Sequence, residues 1–146
     1  MTDEEVVRIM HAHFEGLFPR GCPTCGRYFA NLRDYILDTE LIGDTISYDV
    51  ELCDWEPEEP LGAAAFANCP CGTTMVLTTR GIPVAQLHGV LRWVRDETGR
   101  RGVGHTELIG AVRDEVRRRA LGSGEKLGIV PLPAGGPAPA AAAPEA

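Results

Sequence analysis

The chain holds no run of roughly 18 or more apolar residues, so no segment is long enough to cross a bilayer as a helix. Its start, Met1-Thr2-Asp3-Glu4-Glu5, is acidic where a secretory leader is basic, and no apolar stretch follows. The expectation is a cytoplasmic protein with no membrane partner. A glycine-rich phosphate loop, a nucleophile elbow and paired catalytic signatures are all missing. The glycines of residues 99–105 fall between two expected helices, the wrong setting for a dinucleotide fingerprint. Aromatic residues make up only 6% of the chain, few for stacking against bases. The five cysteines are an odd number, which suits a disulfide framework poorly. In a reducing compartment, paired cysteines read instead as metal ligands or redox centres.

What is present begins with length. A chain of 146 residues can bury a core without covalent staples and is expected to form one domain. Net charge is −7, unevenly spread. Residues 1–60 carry 14 acids and 4 bases, whereas residues 80–121 carry 9 bases and 5 acids. Such asymmetry marks either a binding surface or two halves that attract one another across the fold, and the second is the simpler reading.

Hydrophobic periodicity sets the elements. Val7, Met10, Phe14 and Leu17 recur at helical spacing behind Thr2, a candidate N-cap with Glu5 three positions on, which predicts a helix over residues 3–17. Phe29, Leu32, Tyr35 and Ile36 predict a second over about residues 28–38. Ile46, Tyr48, Val50 and Leu52 alternate as a half-buried strand over residues 45–52. The acidic residues 54–62 read as a loop. Residues 63–68 and 73–80 then form a hairpin around the second cysteine turn. Beyond Gly81, Val84, Leu87, Leu91, Val94 and Thr98 line one helix after Pro83. Leu108, Ile109, Val112, Val116 and Ala120 line another, with Thr106 as its expected cap. The pair forms a helical hairpin that must bury its stripes against the strands. From Gly122 the Gly, Pro and Ala composition predicts a disordered tail. The fold class is thus α+β, with one domain over residues 1–121 and a tail over 122–146.

Two short turns carry the chemistry. Residues 21–29 read GCPTCGRYF and residues 68–74 read NCPCGTT. Each supplies two thiols, and Cys22, Cys25, Cys69 and Cys71 together make the tetrahedral set that zinc favours. Pro23 restrains the first turn, while Gly26 can take positive φ so that backbone N–H groups face the sulfurs. These knuckles resemble those of zinc-ribbon and treble-clef proteins, which read Cys-Pro-x-Cys-Gly; the second is one residue shorter. Residues 10–80 also resemble small uncharacterised bacterial proteins of that zinc-ribbon or zinc-knuckle kind, a likeness that brings no activity with it. Four protein thiolates on one Zn²⁺ per chain leave no open position for substrate or activated water, and on that ground the expectation is a structural site in a non-catalytic interaction or regulatory module, not an enzyme.

Other readings stay open. The same thiols could hold an iron–sulfur cluster. Cys22 and Cys25 could also form a thioredoxin-like dithiol heading the second helix. Cys53 reads most simply as a small core residue. His11 and His13 lie two apart on a helix and cannot chelate one ion together, although either alone could reach the cysteines. His88 reads as packed and His105 as a residue near a helix start. Asp54, Glu56, Glu58 and Glu59 read as a solvated acidic loop. Arg113, Arg117 and Arg118 give the last helix a basic face, a candidate nucleic-acid contact, yet the chain as a whole is acidic and arginines also complement a helix C-terminus. Finally, residues 127–132, LGIVPL, form an apolar docking segment with Leu127, Ile129 and Leu132 as its anchors. It resembles the Leu-Gly-Ile-x-x-Leu loading peptides of encapsulin cargo, which would make an encapsulin shell the partner; an unspecified protein partner is the broader expectation.

Overall fold

The computed structural model describes residues 1–47, 57–58 and 60–122. Helix α1 spans Asp3–Glu15, and Thr2 caps it by accepting a hydrogen bond from the Glu5 N–H at 3.1 Å. Asp3, Glu4 and Glu5 place negative charge in its first turn, where the helix dipole favours it. The helix ends two residues short of expectation; Val6, Val7 and Met10 are its buried face, with Phe14 and Leu17 packed half-buried beside it.

The next segment corrects the sequence reading. Residues Arg20–Gly21 (β1) pair antiparallel with Tyr28–Phe29 (β2), a two-stranded unit that closes the first cysteine turn. That pairing takes residues 28 and 29 away from the expected helix, so α2 covers only Leu32–Asp38. Asn31 caps it, accepting from the Asp34 N–H at 2.8 Å. Leu32, Tyr35 and Ile36 are buried, as their spacing predicts.

A three-stranded antiparallel sheet follows, in the order β3 (Glu40–Ser47), β4 (Ala63–Asn68), β5 (Thr74–Thr78). The hairpin of β4 and β5 is in register from Asn68↔Thr74 to Ala64↔Thr78, with the second cysteine turn at its tip. For β3 the sequence reading misplaced both the start and the buried face. The strand begins at Glu40, and Thr45 and Ser47 point inward while Ile46 is 37% exposed. Its pairing with β4 shifts register between Ile42 and Ile46, around Gly43, whose φ is +68°. Four residues of β3 pass two of β4 there, and because side chains alternate with period two this two-residue shift keeps Leu41, Thr45 and Ser47 on one inward face. Residues 48–52 of the expected strand lie outside the described residues.

Helices α3 (Val84–Arg101) and α4 (His105–Leu121) form the expected helical hairpin, ending on Gly102 and Gly122 at φ +70° and +69°. Left-handed glycine closes both ends with no Cβ penalty. Leu87, Leu91 and Val94 are buried as expected and are joined by Val90 and Trp93, but Val84 is exposed at the helix start. Gly104 takes the N-cap position of α4, so Thr106 lies inside the first turn instead of capping it. Helix α4 is the centre of the packing, touching β3, α1, α2 and α3. The core contains Cys22 and Cys69 alongside Phe29, Leu108, Trp93 and Met75, so each cysteine turn roots one thiol in the apolar interior.

Candidate metal centre

The two knuckles are built the same way despite their different lengths. In the first, the Cys22 N–H donates to the Arg27 carbonyl at 2.9 Å and the Gly26 N–H returns to the Cys22 carbonyl at 2.9 Å. In the second, the Cys69 N–H donates to Thr73 O at 2.8 Å and the Gly72 N–H returns to Cys69 O at 2.7 Å. Both glycines take positive φ, +81° at Gly26 and +97° at Gly72, which side-chain-bearing residues rarely adopt. The shorter Cys-x-Cys turn closes with the same two bonds.

The fold brings the knuckles together although Cys25 and Cys69 are 44 residues apart. All four Sγ atoms lie within 4.8 Å of one another. Two contacts cross between the knuckles, Cys22 to Cys71 and Cys25 to Cys69, each at 3.7 Å. Zinc–sulfur bonds of about 2.3 Å in a regular tetrahedron require sulfur–sulfur edges of about 3.8 Å. The spacing fits one four-coordinate ion. In a Cys₄ iron–sulfur cluster the thiolates are divided among two or four irons, so the set as a whole stands further apart than a single ion needs. The thioredoxin-like arrangement also loses its physical basis, because β2 intervenes and α2 begins seven residues after Cys25, at Leu32. Cys22 and Cys69 are buried, Cys25 and Cys71 exposed, so one flank of the centre rests on the core and the other faces solvent.

Electrostatics divides the thiols. The backbone N–H groups of Cys25 and then Thr24 hold Cys22 down at about 6, well below its ordinary 9.0, and the Thr24 nitrogen lies 3.4 Å from its sulfur. The Thr73 hydroxyl, 3.2 Å from Cys71 Sγ, and the Thr73 N–H lower Cys71. For Cys69 the Cys71 N–H pulls down, but burial and the three neighbouring sulfurs together outweigh it and push the thiol up to about 11. Several thiolates in one small space repel, and a divalent cation among them removes that conflict.

The other candidates fall elsewhere. His13 is packed away from the cysteines, its Nε2 2.9 Å from the Thr78 carbonyl, and His11 Nε2 stands 4.0 Å from Glu15. His88 is half-buried on α3, and His105 is the first residue of α4. Cys53, the acidic residues 54, 56 and 59, and the docking segment Leu127, Ile129 and Leu132 lie outside the described residues.

The arginines of α4 serve the fold more than its surface. Arg118 and Arg119 donate to the two carboxylate oxygens of Glu115, which is 1% exposed, both at 2.8 Å. Arg119 also reaches Glu4 on α1 at 2.8 and 3.0 Å. Arg113 donates to the Gly43 carbonyl at 3.3 Å and to Asp114 at 3.0 Å. On α3, Arg101 holds Asp3 of α1 with two bonds of 2.7 Å, while Trp93 donates to the same carboxylate at 3.2 Å. The acidic start of the chain and its basic helices therefore meet inside one molecule. Sequence reasoning passed over Glu115 and Glu97, although their spacing of three and four from Arg118, Arg119, Arg100 and Arg101 was a usable signal.

Searches of family models, curated proteins and solved structures find nothing that matches this chain.

Proposed function

We propose that the four cysteines hold one zinc ion per chain as a structural cross-link, and that the protein acts as a non-catalytic interaction or regulatory module. One observation carries this reading: four sulfurs from two knuckles converge at the spacing of a single tetrahedral ion. Four protein ligands would leave no position for substrate or activated water, which supports a structural role over a catalytic one. The ion would tie the β1–β2 unit to the tip of the β4–β5 hairpin, two pieces too small to hold their shape alone. Exposed Tyr28 and Leu37, 68% and 58% accessible on β2 and α2, offer apolar contact area beside the first knuckle. A nucleic-acid role ranks second, because three of the four α4 arginines already hold acceptors in the protein.

Elemental analysis of freshly purified protein tests the metal. About one zinc per chain is expected, with no visible absorbance, and its loss in both Cys25→Ser and Cys69→Ser. Cys53→Ala should keep the metal. Iron with visible absorbance, metal-free fresh protein, or zinc lost on Cys53→Ala would overturn the assignment. For the interaction role, a partner should be retained by zinc-loaded protein and released by chelator; retention unaffected by chelation would separate the partner surface from the metal.

A further inference from the structure

An apolar cavity of about 110 Å³ lies between the inner face of the sheet and the helices, walled by residues such as Met10, Ile36, Leu77, Leu91 and Ile109. Its few polar groups are the informative ones. Tyr35 and Thr45 line it at 3% and 7% exposure, and among the described residues neither the Tyr35 hydroxyl nor Thr45 Oγ1 has a hydrogen-bond partner. Buried hydroxyls are nearly always satisfied, so two orphans lining one cavity call for an acceptor. Arg117 lines the same cavity and, among the described residues, makes no hydrogen bond or ion pair, unlike Arg113, Arg118 and Arg119 around it. Burial, and after it the charge of Arg113, pull its guanidinium below the ordinary arginine value. Burial also pushes the Tyr35 hydroxyl up, which keeps it a proton donor at neutral pH.

These groups line one cavity from three elements. Arg117 acts electrostatically on Tyr35 of α2. Thr45 lies two residues beyond Gly43, whose carbonyl takes Arg113, one turn before Arg117 on α4. Two hydroxyl donors and a guanidinium that has no hydrogen-bond or ion-pair partner among the described residues and feels Asp114 only at a distance, beside a mostly apolar space, describe a complement for a small amphiphile bearing one negative charge. A planar carboxylate matches the guanidinium fork. An engineered apolar cavity of about 150 Å³ takes benzene, so this smaller volume suits a chain of about four or five carbons. We propose that the cavity is a binding site for a short-chain carboxylate, its chain among the aliphatic side chains and its carboxylate held by Arg117 with the hydroxyls of Tyr35 and Thr45.

The test is a ¹H–¹⁵N NMR titration of the zinc-loaded full chain with pentanoate, pentanol and octanoate. Pentanoate should shift amides of α2, β3 and α4 saturably. Pentanol, the same chain without the charge, should bind at least about tenfold more weakly, since a charge-assisted hydrogen bond is lost. Octanoate should bind more weakly than pentanoate because the volume excludes it. Arg117→Met, which keeps an unbranched stem, should bring pentanoate to the level of pentanol and leave pentanol unchanged; Thr45→Val should weaken pentanoate several-fold. Absence of saturable shifts, equal binding of pentanoate and pentanol, or octanoate binding as tightly as pentanoate overturns the proposal in the wild-type protein, without recourse to any variant. A carboxylate preference that survives Arg117→Met overturns it as well.

Discussion

Glu115→Ala decides whether the basic face of α4 belongs to the fold or to a ligand. Glu115 is 1% exposed and takes Arg118 on one oxygen and Arg119 on the other. Removing one partner of a fully buried ion pair costs about 3–5 kcal/mol, because the charge left behind is uncompensated. Here the figure needs discounting. The Arg118 and Arg119 side chains are 24% and 19% exposed, and Arg119 keeps Glu4, itself 60% exposed. Water and Glu4 take up part of the loss, leaving about 2–3 kcal/mol. For a domain of this size that lowers Tm by about 8–12 °C. Arg119→Ala should cost less, about 1–2 kcal/mol, since Glu115 keeps Arg118. Urea unfolding of both single variants and the double, followed by circular dichroism, gives the coupling energy directly. High salt should weaken the Glu4 part and spare the Glu115 part, because buried pairs are screened less. If Glu115→Ala and Arg119→Ala each stay within about 0.5 kcal/mol of wild type, as ordinary surface changes do, the arginines are not structural and the basic face is free for a partner.

A Cβ on Gly62 would sit 1.8 Å from Thr79 Oγ1, at a φ of +82°, so Gly62→Ala should cost about 2–4 kcal/mol. Gly99→Ala on α3, where no atom lies within 4 Å, should instead gain about 0.5–1 kcal/mol; equal urea midpoints for the two would refute the packing described around Thr79. Zinc uptake near neutral pH should release fewer than four protons, since Cys22, held at about 6, is already ionised, whereas Cys69, at about 11, loses its proton to the buffer only when the metal binds. Below about pH 6 the count should climb and the affinity fall, which calorimetry in buffers of different ionisation enthalpy measures; a count fixed from acid to neutral pH contradicts the assignment. Binding to mixed DNA and RNA should be weak and fall steeply with salt, whereas tight, sequence-selective binding abolished by Arg117→Ala with Arg118→Ala would reverse the ranking of functions.

The features legible in the sequence are those whose signals lie within a turn or two of chain. Thr2 with Glu5, the stripes of α3 and α4, the β4–β5 hairpin and the glycine after each cysteine pair all follow from neighbours up to about four residues away. Cysteine chemistry extended this further, since four thiols in two similar turns imply one shared ion wherever the fold places them. Other features needed partners distant in sequence. Strand β2 exists because Tyr28 and Phe29 find Gly21 and Arg20, and that pairing overrode a local helical pattern. The start of β3 and its two-residue register shift were set by pairing with β4, which an alternating pattern read alone cannot contain. Which arginines are neutralised depends on Glu115 being buried and on Glu4 lying across from α4, 115 positions away from Arg119. The cavity is the extreme case, because Tyr35, Thr45 and Arg117 come from a helix, a strand and another helix. Local preferences choose the elements through short-range sterics and hydrogen bonds. Register, ion pairing and the polar groups left unsatisfied are settled only when those elements compete for the same buried surface.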